Sequence, residues 1–341
     1  MKIALTGGGT GGHLAIAAAL LEALKKRGHE AIYIGSTSGQ DRSWFADEPN
    51  FSEKYFLDTS GVVNRVFLGK IWALFKIFRA VLRSRKILKE EQVDAVISVG
   101  GYSAAAATFA AYSKHIPFFI HEQNAVMGRL NAMMQPYARR FYSSYDNTSP
   151  VKDYPIRDVF FTTAHVRTEI KTVVFLGGSQ GAQFINNLAI ETASICIAKG
   201  MKVIHQCGDR DYERVKKAYA TQKIEVELYS FTQALPALIG EADLAISRAG
   251  ASTLWELTAN GLPALFVPYP YAAGDHQFYN AKYLVEKELA WSYRESDNYA
   301  RNLIAVLESN IEAKSSALMA LSHKGGAESI IKSIEENIDV S

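Results

Sequence analysis

Two glycine-rich turns recur in the 341-residue chain: Gly7-Gly8-Gly9-Thr10-Gly11-Gly12-His13 and Gly177-Gly178-Ser179-Gln180-Gly181. Each follows a short apolar run and opens a helical pattern. Glycine lets the backbone approach a phosphate closely, and a helix start adds unpaired N–H groups and a partial positive charge. Such turns also occur with nothing bound, but the same device once per half favours a phosphorylated ligand. The first turn lacks the Gly-Lys-Ser/Thr ending of an NTPase loop. The second strand ends Ile34-Gly35-Ser36, with no acid for a ribose, which disfavours a dehydrogenase.

Other residues could carry chemistry. His13 has an imidazole suited to taking a proton near neutral pH. It could equally be a helix-start residue bonded to the backbone. In Ser247-Arg248-Ala249-Gly250-Ala251-Ser252-Thr253-Leu254-Trp255-Glu256, Arg248 and a helix beginning near Gly250 make an expected anion site. Glu256, two turns on among apolar neighbours, suits ribose hydroxyls, or is simply a surface acid. Asp275-His276-Gln277-Phe278-Tyr279-Asn280 suits sugar hydroxyls, or is a polar helix start with Asp275 near the N-cap. Asp209-Arg210-Asp211 has a metal-binding form, but its charged surroundings mark it as a chance match. Cys196 and Cys207 read as buried thiols, and no metal and no cofactor is expected.

These residues need elements to position them. Strands are expected at Lys2–Thr6, Ala31–Ile34, Ala95–Val99, Phe118–Ile120 and Arg140–Ser143, with helices between, such as 13–27, 104–113 and 127–135. The pattern breaks at Asn147–Arg157, which contains Pro150 and Pro155. It resumes with strands at Lys171–Leu176, Lys202–His205, Glu225–Leu228, Leu244–Ser247 and Ala264–Val267. Alternation of this kind means parallel sheets covered on both faces. The fold class is α/β, with two Rossmann-like doubly wound domains facing a cleft. The expected domains are 1–157 and 158–325, with a last helix, 326–341, packing back on the first. Ligands in such sheets sit beyond the carboxyl ends of the strands.

Net charge is only +2, yet residues 1–157 carry +7 and the remainder −5. The basic half asks for an anionic partner. No nucleic-acid signature accompanies it, so nucleic acid is not the expected partner. Residues 65–89 hold Arg65, Lys70, Lys76, Arg79, Arg83, Arg85, Lys86 and Lys89 and no acid. Val66, Phe67, Leu68, Ile71, Trp72, Leu74, Phe75, Ile77, Phe78, Val81 and Leu82 are interleaved. A core helix with a solvated basic face would give part of this pattern. The apolar residues exceed one helical face, so an anionic membrane surface is the expected partner. No stretch is long and apolar enough to span a bilayer, and the N-terminus reads as a strand, not a signal peptide.

The pieces in their order resemble the bacterial MurG family over nearly the whole chain. The resemblance rests on Gly8–His13, Gly100-Gly101-Tyr102, His121-Glu122-Gln123-Asn124, Gly177–Ala182, Ser247–Glu256, Gly261-Leu262-Pro263-Ala264 and Asp275–Asn280. It implies the GT-B glycosyltransferase architecture and transfer of N-acetylglucosamine (GlcNAc) from UDP-GlcNAc to lipid I, giving lipid II for peptidoglycan. It also implies a place on the cytoplasmic face of the bacterial inner membrane.

By position, the resemblance puts Phe231 and Thr232 at the uracil and Glu256 at the ribose. It puts Ser179, Gly250, Ala251, Ser252 and Thr253 around the diphosphate, Arg157 near the donor, and Gln277 on the GlcNAc hydroxyls. On the acceptor side it implies Thr10, Gly11, Gly12, His13, Gly101, Tyr102, Glu122 and Asn124, with His13 as base in an inverting transfer. Arg248 and the helix start would stabilise the departing diphosphate. Three departures stand out. Tyr102 is followed by Ser103 and alanines where the family continues Tyr-x-Ser-Gly-Pro. Tyr154 replaces an Asn, and Phe278 replaces a second Gln. Two other functions fit less well: another UDP-sugar-dependent glycolipid transferase of the same fold, and a non-catalytic lipid- or nucleotide-binding protein.

Overall fold

The structure is a computed structural model. It describes residues 1–59, 67–178, 181–295, 297 and 299–338, with the side chains of 67–72, 74, 299 and 300 left out. The chain divides into two compact units. Unit 1 comprises Met1–Arg157 and the segment from Gly325 to the end; unit 2 is Asp158–Lys324.

The strands of unit 1 are β1 (Lys2–Thr6), β2 (Glu30–Ser36), β3 (Glu53–Leu57), β4 (Ala95–Ser98), β5 (Phe118–Glu122) and β6 (Arg140–Ser143). Those of unit 2 are β7 (Thr172–Leu176), β8 (Lys202–Gln206), β9 (Glu227–Tyr229), β10 (Leu244–Ser247), β11 (Ala264–Phe266) and β12 (Trp291–Ser292). Unit 1 has the helices α1 (Gly11–Lys26), α2 (Asp41–Phe45), α3 (Phe67–Glu90), α4 (Ala105–Ser113) and α5 (Arg129–Met134). In unit 2 lie α6 (Gln183–Ala198), α7 (Tyr212–Gln222), α8 (Leu235–Glu241), α9 (Ala251–Ala259), α10 (His276–Val285), α11 (Tyr299–Leu307) and α12 (Glu312–Leu321). The chain then returns to unit 1 with α13 (Gly326–Ile338).

Each unit holds one six-stranded sheet. The orders are β3-β2-β1-β4-β5-β6 and β12-β11-β10-β7-β8-β9, every pairing parallel. Counted from its own first strand, unit 2 repeats the order of unit 1. Crossover helices cover both sheet faces, so the central strands are apolar throughout, as in Val173, Val174 and Phe175 or Ala95, Val96 and Ile97. The strand order reverses between β1 and β4 and between β7 and β10. The turns leaving those four strands therefore flank a crevice at one end of each sheet.

Two strands lie outside the sequence expectation. Glu53–Leu57 is an edge strand with only partial burial, so its Glu and Lys break the apolar run. Trp291–Ser292 is two residues long and carries no periodicity. The first helix begins at Gly11, two residues earlier than expected, so His13 lies inside its first turn. The last helix lies on α1 through ion pairs of Lys26 with Glu328 and of Arg27 with Glu335, and Glu335 also meets His29.

Among the described residues, unit 2 has one buried cation at its base. Arg167 is 1% exposed and donates to the carbonyls of His165, Ile239, Ala242 and Asn260 and to Asn260 Oδ1. Its guanidinium thus ties the start of the unit to the ends of α8 and α9. Loss of hydration lowers its pKa to about 10, and it stays charged at neutral pH.

Candidate active site

In unit 1 the turns after β1 and β4 meet back to back. Gly8 N–H donates to the Gly100 carbonyl at 3.2 Å. Gly101 has φ +80, and a Cβ there would collide with the Gly8 carbonyl, so the contact requires glycine. Tyr102 packs on Gly9, and its hydroxyl donates to the Ser38 carbonyl at 2.7 Å. Tyr102 is therefore a strut holding the two turns together. After it, residues 102–104 form one tight helical turn that feeds the alanines of α4 against α3. That packing of small side chains accounts for the alanines in place of the family pattern.

Asp41 fixes the first turn from below. It is fully buried and accepts the N–H of Gly9 at 2.6 Å, the N–H of Ser36 at 3.0 Å and the Tyr33 hydroxyl at 3.1 Å. Burial, reinforced by the Asp41 charge, holds the Tyr33 hydroxyl well above its ordinary pKa, so it remains a donor. Nothing local in the sequence marks Asp41, because its partners come from strand β2 and from the turn after β1.

His13 is half-buried at the end of this loop. Its Nδ1 lies 3.0 Å from Thr10 Oγ1, and its Nε2 lies 2.9 Å from the Gln123 side-chain amide. Both ring nitrogens are thus held by neutral side chains. Behind the ring, His121 is fully buried, and desolvation, with a smaller contribution from His13, lowers its pKa to about 3. His121 stays neutral and meets the ring of Tyr154 edge-on, centroids 5.6 Å apart. Tyr154, at the family's Asn position, is a packing partner for this histidine.

Glu122 is 3% exposed, and its carboxylate accepts from the N–H groups of Asn124 and Gly128 and from Asn131 Nδ2, at 2.8–2.9 Å. It shapes the loop after β5, and any effect on an acceptor passes through that loop. Asn124, half-buried, lies on the loop itself.

In unit 2 the turn after β7 is clasped by Gln206 at the end of β8. Gln206 Oε1 accepts the Gly178 N–H at 3.0 Å, while its Nε2 donates to the carbonyls of Gly178 and Ser230. One side chain therefore links the glycine turn to the segment leading into Phe231 and Thr232. Phe231 is 55% exposed, its ring open to a stacking partner. Ser179 and Gln180 lie outside the described residues.

Below this clasp is a closed polar network. The Tyr219 hydroxyl donates to His205 Nδ1, His205 Nε2–H donates to Asn186 Oδ1, and Asn186 Nδ2 donates to Asp211 and the Cys207 carbonyl. Asp211 is also paired with Arg214 at 2.6 Å, which holds its carboxyl below the usual range. Asp211 is thus a structural acid. Among the described residues, no group of three His, Cys, Asp or Glu is placed to hold a metal. Burial raises both cysteine thiols to about 11, which keeps them protonated.

Helix α9 starts at Ala251 with Gly250 as its extended N-cap. Its side chains are buried except at Thr253 and Glu256, which share a face three residues apart. A Cβ on Gly250 would meet nothing within 4 Å, so the helix start opens onto free space. Arg248 departs from the expected role. Its guanidinium pairs with Glu295 at 2.5 Å, donates to the carbonyls of Val267 and Pro268, and lies between the rings of Phe184 and Tyr269. Its charge is already balanced by Glu295, far away in sequence.

At α10, Asp275 does occupy the N-cap, but in the left-handed region (φ 53) and without capping. It pairs instead with Arg294 at 2.9 Å, and Arg294 lies 4.2 Å over Phe278, the residue at the family's second glutamine. Gln277 Oε1 accepts the Tyr269 N–H at 2.9 Å. Arg157 is the last residue of unit 1 before the chain enters unit 2.

On α3, Ala73, Ala80, Ser84, Ile87 and Leu88 are buried, while Phe75, Phe78 and Leu82 are 47–59% exposed. These three recur every three to four residues, and Arg79, Arg83 and Lys86 lie exposed among them. The helix is apolar on both its inner and its outer face. Arg65 and Val66 lie outside the described residues, as do the side chains of Phe67, Leu68, Lys70, Ile71, Trp72 and Leu74. Among the described residues, no helix is long and apolar enough to cross a membrane.

A duplicated doubly wound fold, a phosphate-ready turn at each switch point, and a helix start with an acid two turns in define a two-domain glycosyltransferase. The N-terminal domain model of glycosyltransferase family 28 matches residues 3–143, and its C-terminal domain model matches residues 172–338. The chain belongs to glycosyltransferase family 28 and, within it, to the MurG family. It is 54% identical over 334 residues to the UDP-N-acetylglucosamine–N-acetylmuramyl-(pentapeptide) pyrophosphoryl-undecaprenol N-acetylglucosamine transferase of Sulfurimonas denitrificans, with 98% of each chain covered. It is 52% identical to the protein of that name from Wolinella succinogenes, covering 96% of this chain and 98% of the other. The crystal structure of Acinetobacter baumannii MurG is similar at 26% identity and a TM-score of 0.77, over 98% of this chain and 99% of the other.

Proposed function

We propose that this enzyme transfers GlcNAc from UDP-GlcNAc to the C4 hydroxyl of the N-acetylmuramoyl (MurNAc) group of lipid I, with inversion, to give lipid II. The observation that carries the reading is near-full-length identity of about half to relatives bearing that name. In this reading unit 2 binds the donor. Phe231 stacks on uracil, Thr232 presents its backbone, Glu256 takes the ribose, and Gln277 takes the sugar. The diphosphate lies at Gly250, Ala251, Ser252 and Thr253, with Ser179 and Arg157 as further contacts. Unit 1 binds the acceptor through Thr10, Gly11, Gly12 and Asn124. Gly101, Tyr102 and Glu122 hold those loops in shape.

His13 takes the proton of the C4 hydroxyl. The hydroxyl oxygen's electron pair forms the new bond to the anomeric carbon from the face opposite the leaving group. The bond from that carbon to the diphosphate oxygen breaks, and UDP departs with the pair. The start of α9 opposes the charge that builds on the diphosphate, a preorganised role that costs little reorganisation. No step in this sequence calls for a cofactor or a metal.

The acceptor is lipid-borne, and the outer face of α3 supports docking on the anionic cytoplasmic leaflet. Phe75, Phe78 and Leu82 would enter the interface while Arg79, Arg83, Arg85, Lys86 and Lys89 meet lipid phosphates. The deciding experiment offers labelled UDP-GlcNAc to the purified protein with a lipid I analogue and a competing glycolipid acceptor. Disaccharide on the lipid I analogue and released UDP are expected. The reading fails if no disaccharide forms and His13→Ala behaves as the parent.

A further inference from the structure

Gln123 follows Glu122 at the end of β5 and is 6% exposed. Its side-chain nitrogen lies 2.9 Å from His13 Nε2, and its side-chain oxygen is buried with no hydrogen-bond partner. On the other side of the ring, His13 Nδ1 lies 3.0 Å from the hydroxyl of Thr10, an exposed residue. The imidazole is thus oriented: Nε2 points into the fold and Nδ1 points outward.

This orientation limits which nitrogen can act. A substrate hydroxyl arrives from the solvent side, where Nδ1 is. For Nδ1 to accept a proton it must carry the lone pair, so Nε2 must carry the hydrogen. A hydrogen on Nε2 needs an acceptor inside the fold. The Gln123 amide supplies one when it turns by half a rotation about its last bond, which exchanges its oxygen and nitrogen in nearly the same positions. With the nitrogen facing the ring, the Nε2 lone pair is consumed, Nδ1 carries the hydrogen, and no outward-facing base exists. With the oxygen facing the ring, the oxygen gains a partner and the amide nitrogen takes the buried position the oxygen held.

Resting on the assignment of His13 as base, we infer that Gln123 is a positioning residue that holds His13 in its Nε2–H tautomer, so that Nδ1 takes the acceptor proton. The Nε2–H···Oε1 bond persists after the transfer, when both ring nitrogens carry hydrogen. Gln123 thereby does for His13 what the third member of a hydrolase triad does for its histidine, without adding a charge. The Thr10 hydroxyl donates to the Nδ1 lone pair between turnovers and gives way to the substrate hydroxyl. The amide is kept in reach because Glu122 pins the loop that follows at Asn124, Gly128 and Asn131. Of the nearby titratable groups, His121 on β5 is held neutral, Glu122 is turned to its own loop, and Asp41 is turned to Gly9.

The test reads the tautomer directly. In protein labelled with ¹⁵N at histidine, the two nitrogens of His13 should show hydrogen on Nε2 and a lone pair on Nδ1 in the parent. Gln123→Met should abolish that preference and lower kcat at least about 100-fold, with KM for UDP-GlcNAc unchanged. Gln123→Glu keeps an oxygen on Nε2. It should retain the tautomer, recover much of the lost rate, and move the acidic limb of the kcat/KM profile upward by about one pH unit. Hydrogen on Nδ1 in the parent, or Gln123→Met with parental tautomer and kcat, overturns the inference. Should Gln123→Met fail to fold, the parent tautomer and Gln123→Glu decide. Parental turnover in His13→Ala would instead remove the base assignment itself, an outcome distinct from the tautomer result.

Discussion

The backbone N–H of Gly9 donates to the buried carboxylate of Asp41 at 2.6 Å, so a residue of the α2 turn sets the shape of the first glycine loop. Asp41→Ala would strand the N–H groups of Gly9 and Ser36 without acceptors. The expected cost is about 3 kcal/mol of unit 1 stability, read by denaturant unfolding. Affinity for UDP-GlcNAc should be unaffected, because the residues assigned to the donor, Arg157 apart, lie in unit 2. A parental unfolding midpoint would remove the loop-pinning role.

Gly250 and Gly101 should respond to alanine in opposite ways. At Gly250 the backbone is ordinary and a Cβ meets nothing, so Gly250→Ala should keep the melting temperature while raising KM for UDP-GlcNAc roughly tenfold. At Gly101 the positive φ and the Gly8 carbonyl leave no room, so Gly101→Ala should lower the melting temperature by several degrees, about 2 kcal/mol. Unchanged donor KM in Gly250→Ala would count against a diphosphate at this helix start.

Acid should weaken both units through two buried histidines. Burial lowers the pKa of His121 and of His205 from near 6.5 to about 3. Between those values the unfolded chain binds protons that the folded chain does not, so stability is fully present above pH 6.5 and falls as pH falls through the window. Each histidine contributes at most about 1.4 kcal/mol per pH unit. Melting followed from pH 7 to 5 should show the decline, and His205→Gln should flatten it for unit 2 alone. An unaltered slope in that variant would contradict the assignment.

Phe75, Phe78 and Leu82 changed together to Ser should cut binding to anionic vesicles at least tenfold at low salt while sparing thermal stability. Raised salt should weaken the parent's binding because screening acts on Arg79, Arg83 and Lys86. Equal vesicle binding by the folded triple variant would sink membrane docking through this face.

Most of the sheet architecture was legible because central strands in parallel sheets are continuous apolar runs. β4 and β7 show this, and the glycines that follow mark where each strand ends. The edge strand Glu53–Leu57 was hidden, since half-buried positions tolerate Glu and Lys. At the site, His13 and Glu256 were visible through their places in local motifs. The contacts of Gln206 and Asp41 were not, nor was that of Gln123 with His13 although Gln123 stands in the His121–Asn124 motif, because each pair is brought close only by the sheet. The ion pair of Arg248 was hidden for the same reason. Its neighbours in sequence suggest an anion site, while the carboxylate that meets it, Glu295, comes from after β12.

The return of the chain to unit 1 at Gly325 has a consequence for synthesis. Unit 2 is one unbroken stretch and can close as soon as it clears the ribosome. Unit 1 is begun first yet finished last, because α13 must arrive before Arg27 and His29 find Glu335. A message truncated just before Gly325 would encode the whole of unit 2 and a unit 1 lacking its final helix.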